Sequence, residues 1–215
     1  MGCRPAQGTL PNLASLIAPG QRTAIPQGFT METVPPEIAA TWGTGAPSAS
    51  VASDVYSLGA TAYWLCAGRA PVDISGAADF AAQLTVAATQ QRSRLRDVAP
   101  HVPQSVTTVI EKAIAPNARD RYRSIGEFAA ALGNCSIPAR KWFRTNEHAG
   151  HIGCWRGERV GASTYVLCLE QGSRTPGRTI TARHVASGSR VPNGSRTCTE
   201  RTWAQAVRAV MARVS

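Results

Sequence analysis

The sequence has no run of about 18 consecutive apolar residues, the minimum for an ordinary membrane-spanning helix. Its start, MGCRPAQGTLPN, has neither the apolar core nor the small-residue cleavage site of a signal peptide. The expectation is a cytoplasmic protein with no membrane partner. The six cysteines, Cys3, Cys66, Cys135, Cys154, Cys168 and Cys198, include no C-x-x-C pair. Neither a disulfide framework nor a zinc ribbon is therefore indicated, and reduced thiols are the default. Lysine is scarce too: among 23 Lys+Arg only Lys112 and Lys141 are lysines, which points to an arginine-biased coding sequence rather than a chemical demand. No internal repeat is visible.

What is present is enough for one generous domain or two small ones: 215 residues, 43% of them hydrophobic. The net charge of +10 is uneven. Residues 1–135 carry 10 Lys+Arg against 9 Asp+Glu, a balance of +1, and residues 136–215 carry 13 against 4, a balance of +9. Two segments with different partners follow from that asymmetry.

Residues 1 to about 50 are rich in Pro, Gly, Thr and Ser and read as loop with short ordered pieces. From Ser53 the pattern becomes helical. Val55, Leu58, Ala62 and Leu65 recur at helical spacing as a buried face, and Gly68 is placed to end the helix. Further helices are expected over about Ala77 to Gln90 and Ser105 to Ala115, the latter with Val106, Val109, Ile110, Ala113 and Ile114 on one face. Another starts at Ser124, where Ser124-Ile125-Gly126-Glu127 makes a capping box. After Pro138, β-branched runs at Ser163 to Leu169 and Arg178 to Val185 suggest a hairpin or small sheet. A last helix opens on a second capping box, Thr202-Trp203-Ala204-Gln205, with Ala206, Val207, Val210, Met211 and Val214 as its apolar face.

Three fragments in order, Val34-Pro-Pro-Glu37-Ile, Ser53-Asp54-Val-Tyr-Ser-Leu-Gly59 and Asp120-Arg121-Tyr-Arg-Ser-Ile-Gly-Glu-Phe128, resemble the C-terminal lobe of bacterial serine/threonine protein kinases. The resemblance covers about residues 10–133. It implies a mainly α fold: a truncated, kinase-like helical C-lobe followed by a small basic α+β segment. The implied division is an activation-segment-like loop region at 1–50, the helical part of the lobe at 51–135, and a basic segment of unknown family at 136–215. In that family the glutamate matched by Glu37 pairs with the arginine matched by Arg121, and the aspartate matched by Asp54 braces the catalytic loop from the first turn of the central helix. Gly59 continues the match. These are structural positions. Thr30 aligns with a substrate-facing threonine, with Phe29 where a glycine is usual.

Leu10-Pro11-Asn12-Leu13-Ala14-Ser15 stands where the metal-binding Asp-Phe-Gly would be, without the aspartate. Phosphoryl transfer in the family needs a Gly-rich lid, a lysine on the phosphates, a catalytic aspartate, and an asparagine and an aspartate on the metals. This sequence has no G-x-G-x-x-G, no lysine before residue 112 and no His-Arg-Asp triplet. ATP and magnesium therefore belong to intact members, and this chain alone is expected to carry no catalytic residue, no cofactor and no kinase activity. Thr23, Thr30 and Thr33 could be phosphorylated as activation-segment threonines, although solvated loop threonines are the commoner case.

His148-Ala-Gly-His151-Ile-Gly-Cys154 places three metal-type ligands at even spacing, and Cys168 could add a fourth from the next strand. The spacing fits none of the familiar zinc modules, so turn-exposed histidines and half-buried thiols without a metal are the expectation. The arginines of residues 136–215, interleaved with Trp142, Trp155, Tyr165 and Trp203, suit an acidic protein or a nucleic acid, and equally suit solvated ends of strands. An alternative to the kinase reading is thus a non-catalytic module that binds a protein partner or, through its basic segment, a nucleic acid.

Overall fold

The helix over Val51–Ala67 is delimited by local chemistry at both ends. At its start the Ser50 hydroxyl accepts the Ser53 backbone N–H at 3.4 Å, while the Ser53 hydroxyl accepts the Ser50 N–H at 3.1 Å, two reciprocal caps on otherwise unpaired donors. At its end Gly68 turns left-handed, with φ of 70°, and its N–H bonds the Trp64 carbonyl at 2.7 Å. A computed structural model describes this helix and the rest of the chain over residues 21–214, apart from 27, 46, 147 and 174–176. The chain divides into two units: residues up to Ser93 together with Val109–Gly133, and Arg94–Thr108 together with Asn134 onward.

In the first unit a two-stranded antiparallel ribbon pairs β1 (Thr23–Ala24) with β2 (Ala49–Ser50). Between them lie a 3-10 turn, Met31–Thr33, and helix α1 (Pro36–Thr41), whose Pro36 suits the first helical turn because no N–H is needed there. The Val51–Ala67 helix is α2. Helix α3 (Phe80–Thr89) is capped by Asp79, which accepts the Ala82 N–H at 2.7 Å. Val34, Ile38 and Ala39 pack on Leu84 and Ala87 of α3, with Phe29, Met31 and Trp42 at the rim. A second cluster joins Val55, Ala113 and Phe128, flanked by Val109, Tyr122 and Leu132.

The apolar face of α2 differs from the sequence expectation. Val55, Tyr56, Gly59, Ala60 and Tyr63 are buried, whereas Leu58 is 42% exposed and Leu65 84% exposed. The expected stripe at 55, 58, 62 and 65 selected leucines by hydrophobicity. The face that packs is instead set by Gly59, whose missing side chain admits a neighbour: a Cβ there would lie 2.7 Å from Ala113 Cβ.

The second unit begins with a short helix, α4 (Leu95–Val98), and the first residues of α5 (Gln104–Ala113), whose Val109–Ala113 portion belongs to the first unit. Helix α6 (Ile125–Gly133) closes the first unit. As expected, the Ser124 hydroxyl accepts the Glu127 N–H at 3.1 Å, but the Glu127 carboxylate takes the Arg123 N–H rather than that of Ser124.

The sheet of the second unit is an antiparallel meander in order β3-β4-β5-β6-β7: Lys141–Thr145, Gly153–Glu158, Tyr165–Gln171, Gly177–His184 and Arg190–Thr199. Helix α7 (Trp203–Arg213) covers one face. Trp155, Leu167, Leu169, Ile180 and Ala182 point to it and meet Ala206, Val207, Val210 and Met211, each large aliphatic contributing about 1.5–3 kcal/mol by leaving water. The apolar face of α7 is the expected one. Its capping box does not form, because the Thr202 hydroxyl instead accepts the Thr199 N–H at 3.1 Å.

This sheet overturns the expectation of a mainly α chain; the fold is α+β. The sequence patterns of β5 and β6 stand out because both are central strands rich in buried residues. The edge strands β3 and β7 bury little and carry no strong period-2 signal.

Candidate functional site

The kinase-like residues converge on one guanidinium. Arg121 Nη1 and Nη2 donate to Glu37 Oε1 and Oε2, both at 2.8 Å, across 84 positions of sequence. Its Nε donates to the Ala115 carbonyl at 2.7 Å, Nη1 also to that of Ala52 at 2.9 Å, and Nη2 to that of Pro116 at 3.0 Å. All five donors of the side chain are thus used, and its planar face lies 4.8 Å from the Tyr56 ring centroid. The Arg121 side chain has no exposed surface.

Glu37 receives a third bond, from the Ser53 hydroxyl at 2.9 Å, so the capping serine of α2 is also part of the clamp. Burial by itself would raise the Glu37 pKa. The hydrogen bonds and charge of Arg121, with help from Glu37's own backbone and Ser53, outweigh it and hold the carboxyl below its ordinary value. The arrangement locks the end of the Pro-Pro-Glu segment, the start of α2 and the turn before α6 to one another. Its chemistry is that of a charge pair and backbone hydrogen bonds holding three segments together.

The other matched positions are less engaged. Asp54 sits in the first turn of α2, where its charge suits the helix dipole, and has no hydrogen-bond or ion-pair partner among the described residues. Desolvation raises its pKa. Thr30 is half-buried, and its carbonyl accepts the Thr33 N–H at 3.0 Å; Thr33 is buried and Thr23 is exposed on β1. Phe29 meets the Trp42 ring edge-on at 4.6 Å and stacks on Phe80 at 6.3 Å, so the side chain that departs from the family's glycine packs at the rim of the α1–α3 cluster. The Leu10–Ser15 segment lies outside the described residues.

In the second unit the structure brings Cys168 to three ligand-type residues of one short stretch, His148, His151 and Cys154. The ligand-type atoms of His148, His151, Cys154 and Cys168 all lie within 4.8 Å of one another. Cys154 and Cys168 are directly opposed in the β4–β5 register, and both histidines come from the turn before β4. No other group of three or more His, Cys, Asp or Glu side chains is so placed among the described residues.

Several arginines of this basic unit are used internally. Buried Arg140 donates to the carbonyls of Gly157 and Ser163 at 3.1 and 2.7 Å and lies over the Tyr165 ring. Arg156 pairs with Glu158, Arg178 with Glu200, and Arg208 donates to the Arg96 carbonyl. A cleft lined by His101, Trp142, Phe143 and Met211 lies in the same unit, and the His101 Nδ1 inside it has no hydrogen-bond partner.

No protein-family profile matches the chain. A segment of 84 residues, 39% of the chain, is 39% identical to serine/threonine-protein kinase PknA of Mycobacterium tuberculosis, and the same figures hold for serine/threonine-protein kinase PknA of Mycobacterium bovis. The match spans 18% of those kinases' length. This segment is therefore similar to a bacterial serine/threonine kinase. Among the described residues no helix is long and apolar enough to cross a membrane.

Proposed function

We propose that the first unit is a kinase-like C-lobe segment that acts as a scaffold, and that the 215-residue chain by itself does not transfer phosphoryl groups. The Glu37–Arg121 clamp carries the kinase-like part of this reading. It joins two of the three matched fragments, Glu37 to Arg121, and the Ser53 hydroxyl bond to Glu37 brings in the third. The segmental similarity to PknA supports it.

The inactive part rests on the groups that phosphoryl transfer requires. Rate acceleration there comes from positioning and charge neutralisation on phosphates and metals. The chain has neither the Gly-rich loop nor the His-Arg-Asp triplet, and Asp54, which would brace a catalytic loop, has no hydrogen-bond or ion-pair partner among the described residues. In this reading residues 1–215 form a pseudokinase-like chain.

A second reading, a non-catalytic binding module, is favoured by the exposed leucines of α2. Leu58 and Leu65 lie two helical turns apart on one side of that helix, an apolar stripe of the kind a protein partner covers. Nucleic-acid binding through residues 136–215 draws less support, since Arg140, Arg156, Arg178 and Arg208 already have partners within the unit.

Calorimetric titration of the purified chain with magnesium-ATP, beside a thermal melt, tests the proposal. A cooperative melt with no heat of binding is expected. Saturable, magnesium-dependent binding would show that a nucleotide site exists and would remove the scaffold reading.

A further inference from the structure

We infer that His148, His151, Cys154 and Cys168 form a structural zinc site on the face of the sheet opposite α7. Strand alternation sends Trp155, Leu167 and Leu169 to α7, and sends Cys154, Val166 and Cys168 to the opposite face. On that face these three make a small buried cluster of their own, with both thiols less than 5% exposed. Two thiols and one valine are a thin core. A metal held between the turn and the two central strands supplies the cross-link that apolar area does not.

The distances fit a tetrahedral ion. With Zn–S near 2.3 Å and Zn–N near 2.05 Å, tetrahedral zinc sets its two sulfurs about 3.8 Å apart and each sulfur about 3.6 Å from each nitrogen. Here the two Sγ atoms are 3.6 Å apart, well beyond the roughly 2.05 Å of a disulfide bond. The sulfur-to-Nδ1 distances are 3.6 Å (Cys154 to His148), 3.4 Å (Cys154 to His151) and 3.3 Å (Cys168 to His148). A dication would take a lone pair from each of these ligand atoms, with the thiols bound as thiolates.

The surroundings suit His151 as a ligand. His151 turns Nε2 toward Glu170 Oε1 at 3.9 Å, from the same face of β5 as Cys168. A carboxylate on that side is the usual outer partner of a metal-bound histidine, and it leaves Nδ1 as the ring nitrogen facing the sulfurs. Gly150, at φ of 81°, adopts the left-handed conformation between the two histidines and lets the turn present both rings, 4.9 Å apart, to the same point. Two sulfurs and two nitrogens without oxygen exclude calcium and magnesium and suit zinc, and four protein ligands leave no open position for catalysis.

The test uses the full chain, purified under reducing conditions without added metal. Elemental analysis is expected to find about one equivalent of zinc, and cobalt(II) added after chelation is expected to give the visible d–d bands of a tetrahedral thiolate site. Chelation should lower the melting temperature, and zinc should restore it. Cys154→Ser and Cys168→Ser should abolish the cobalt spectrum. Because those thiols are buried, the exposed His148→Ala is the decisive variant: it should stay folded and bind zinc at least about tenfold more weakly. The inference fails if the folded, reduced chain takes up no stoichiometric zinc. It fails equally if His148→Ala binds zinc as tightly as the parent, or if the fresh protein contains a Cys154–Cys168 disulfide.

Discussion

Arg121 holds Glu37 through two parallel 2.8 Å hydrogen bonds while its other three donors reach the carbonyls of Ala115, Ala52 and Pro116. One fully covered guanidinium therefore joins the Pro-Pro-Glu segment, the first turn of α2 and the turn before α6. Its removal would strand a half-buried carboxylate and three carbonyls at once.

Arg121→Ala is expected to destabilise the first unit by about 3 kcal/mol, because an unpaired buried charge costs more than the pair itself contributes. Arg121→Lys should lose a large part of the same stability, since one ammonium cannot make the parallel pair and reach the carbonyls as well. Urea denaturation followed by circular dichroism measures both. A loss below about 0.5 kcal/mol in Arg121→Ala, the range of ordinary surface changes, would show that the clamp is dispensable.

Glu37 has a folded pKa below its ordinary 4.5. The folded state thus prefers the carboxylate, and this contribution is full above pH 4.5 and lost as pH falls through the lower folded value. Glu37→Gln, which does not titrate, should narrow its stability gap to the parent as the pH is lowered below 4.5. Urea midpoints between pH 6 and pH 3 check this; a constant gap contradicts it.

His101 behaves as a second acid-sensitive group, in the other unit. Burial, with the nearby Arg144 charge, lowers its pKa from 6.5 to about 4, so the unfolded chain binds the proton first as pH drops. Its contribution is present above pH 6.5 and declines between 6.5 and about 4, by up to about 3 kcal/mol. A His101→Leu variant should show a shallower loss over that range in thermal melts of the same chain.

Gly59→Ala places a methyl 2.7 Å from Ala113 Cβ, and the overpacking should cost about 1–3 kcal/mol despite alanine's better helix propensity. Gly133→Ala, at the end of α6 with nothing within 4 Å of the new methyl, serves as the control and should be neutral or slightly stabilising. Equal effects at the two sites would refute the tight α2–α5 approach.

Leu65→Ser should change stability by less than about 0.5 kcal/mol, whereas Val55→Ala, at a fully buried position, should cost roughly 2 kcal/mol. The reverse order would mean that α2 packs through its leucine stripe.

Local signals in the sequence determined the elements whose ends and faces depend on near neighbours. Gly68 ends α2, Ser124 caps α6, and the apolar faces of α7 and the central strands β5 and β6 follow from short-range periodicity alone. Tertiary structure decided what depends on distant partners. The packed side of α2 follows from Ala113 meeting Gly59, a contact that no period in residues 51–67 encodes. The edge strand β7 reads locally as a turn, with Pro192, Asn193 and Gly194 inside it. Its pairing with β6, despite a register shift between Thr181 and Arg183, keeps it in the sheet, where an edge position tolerates proline. The four metal-type ligands fit no familiar spacing because two of them meet only through the β4–β5 register. Strand pairing across 14 positions is a long-range choice made by burying Trp155, Leu167 and Leu169 against α7, and the opposed cysteines follow from that alternation.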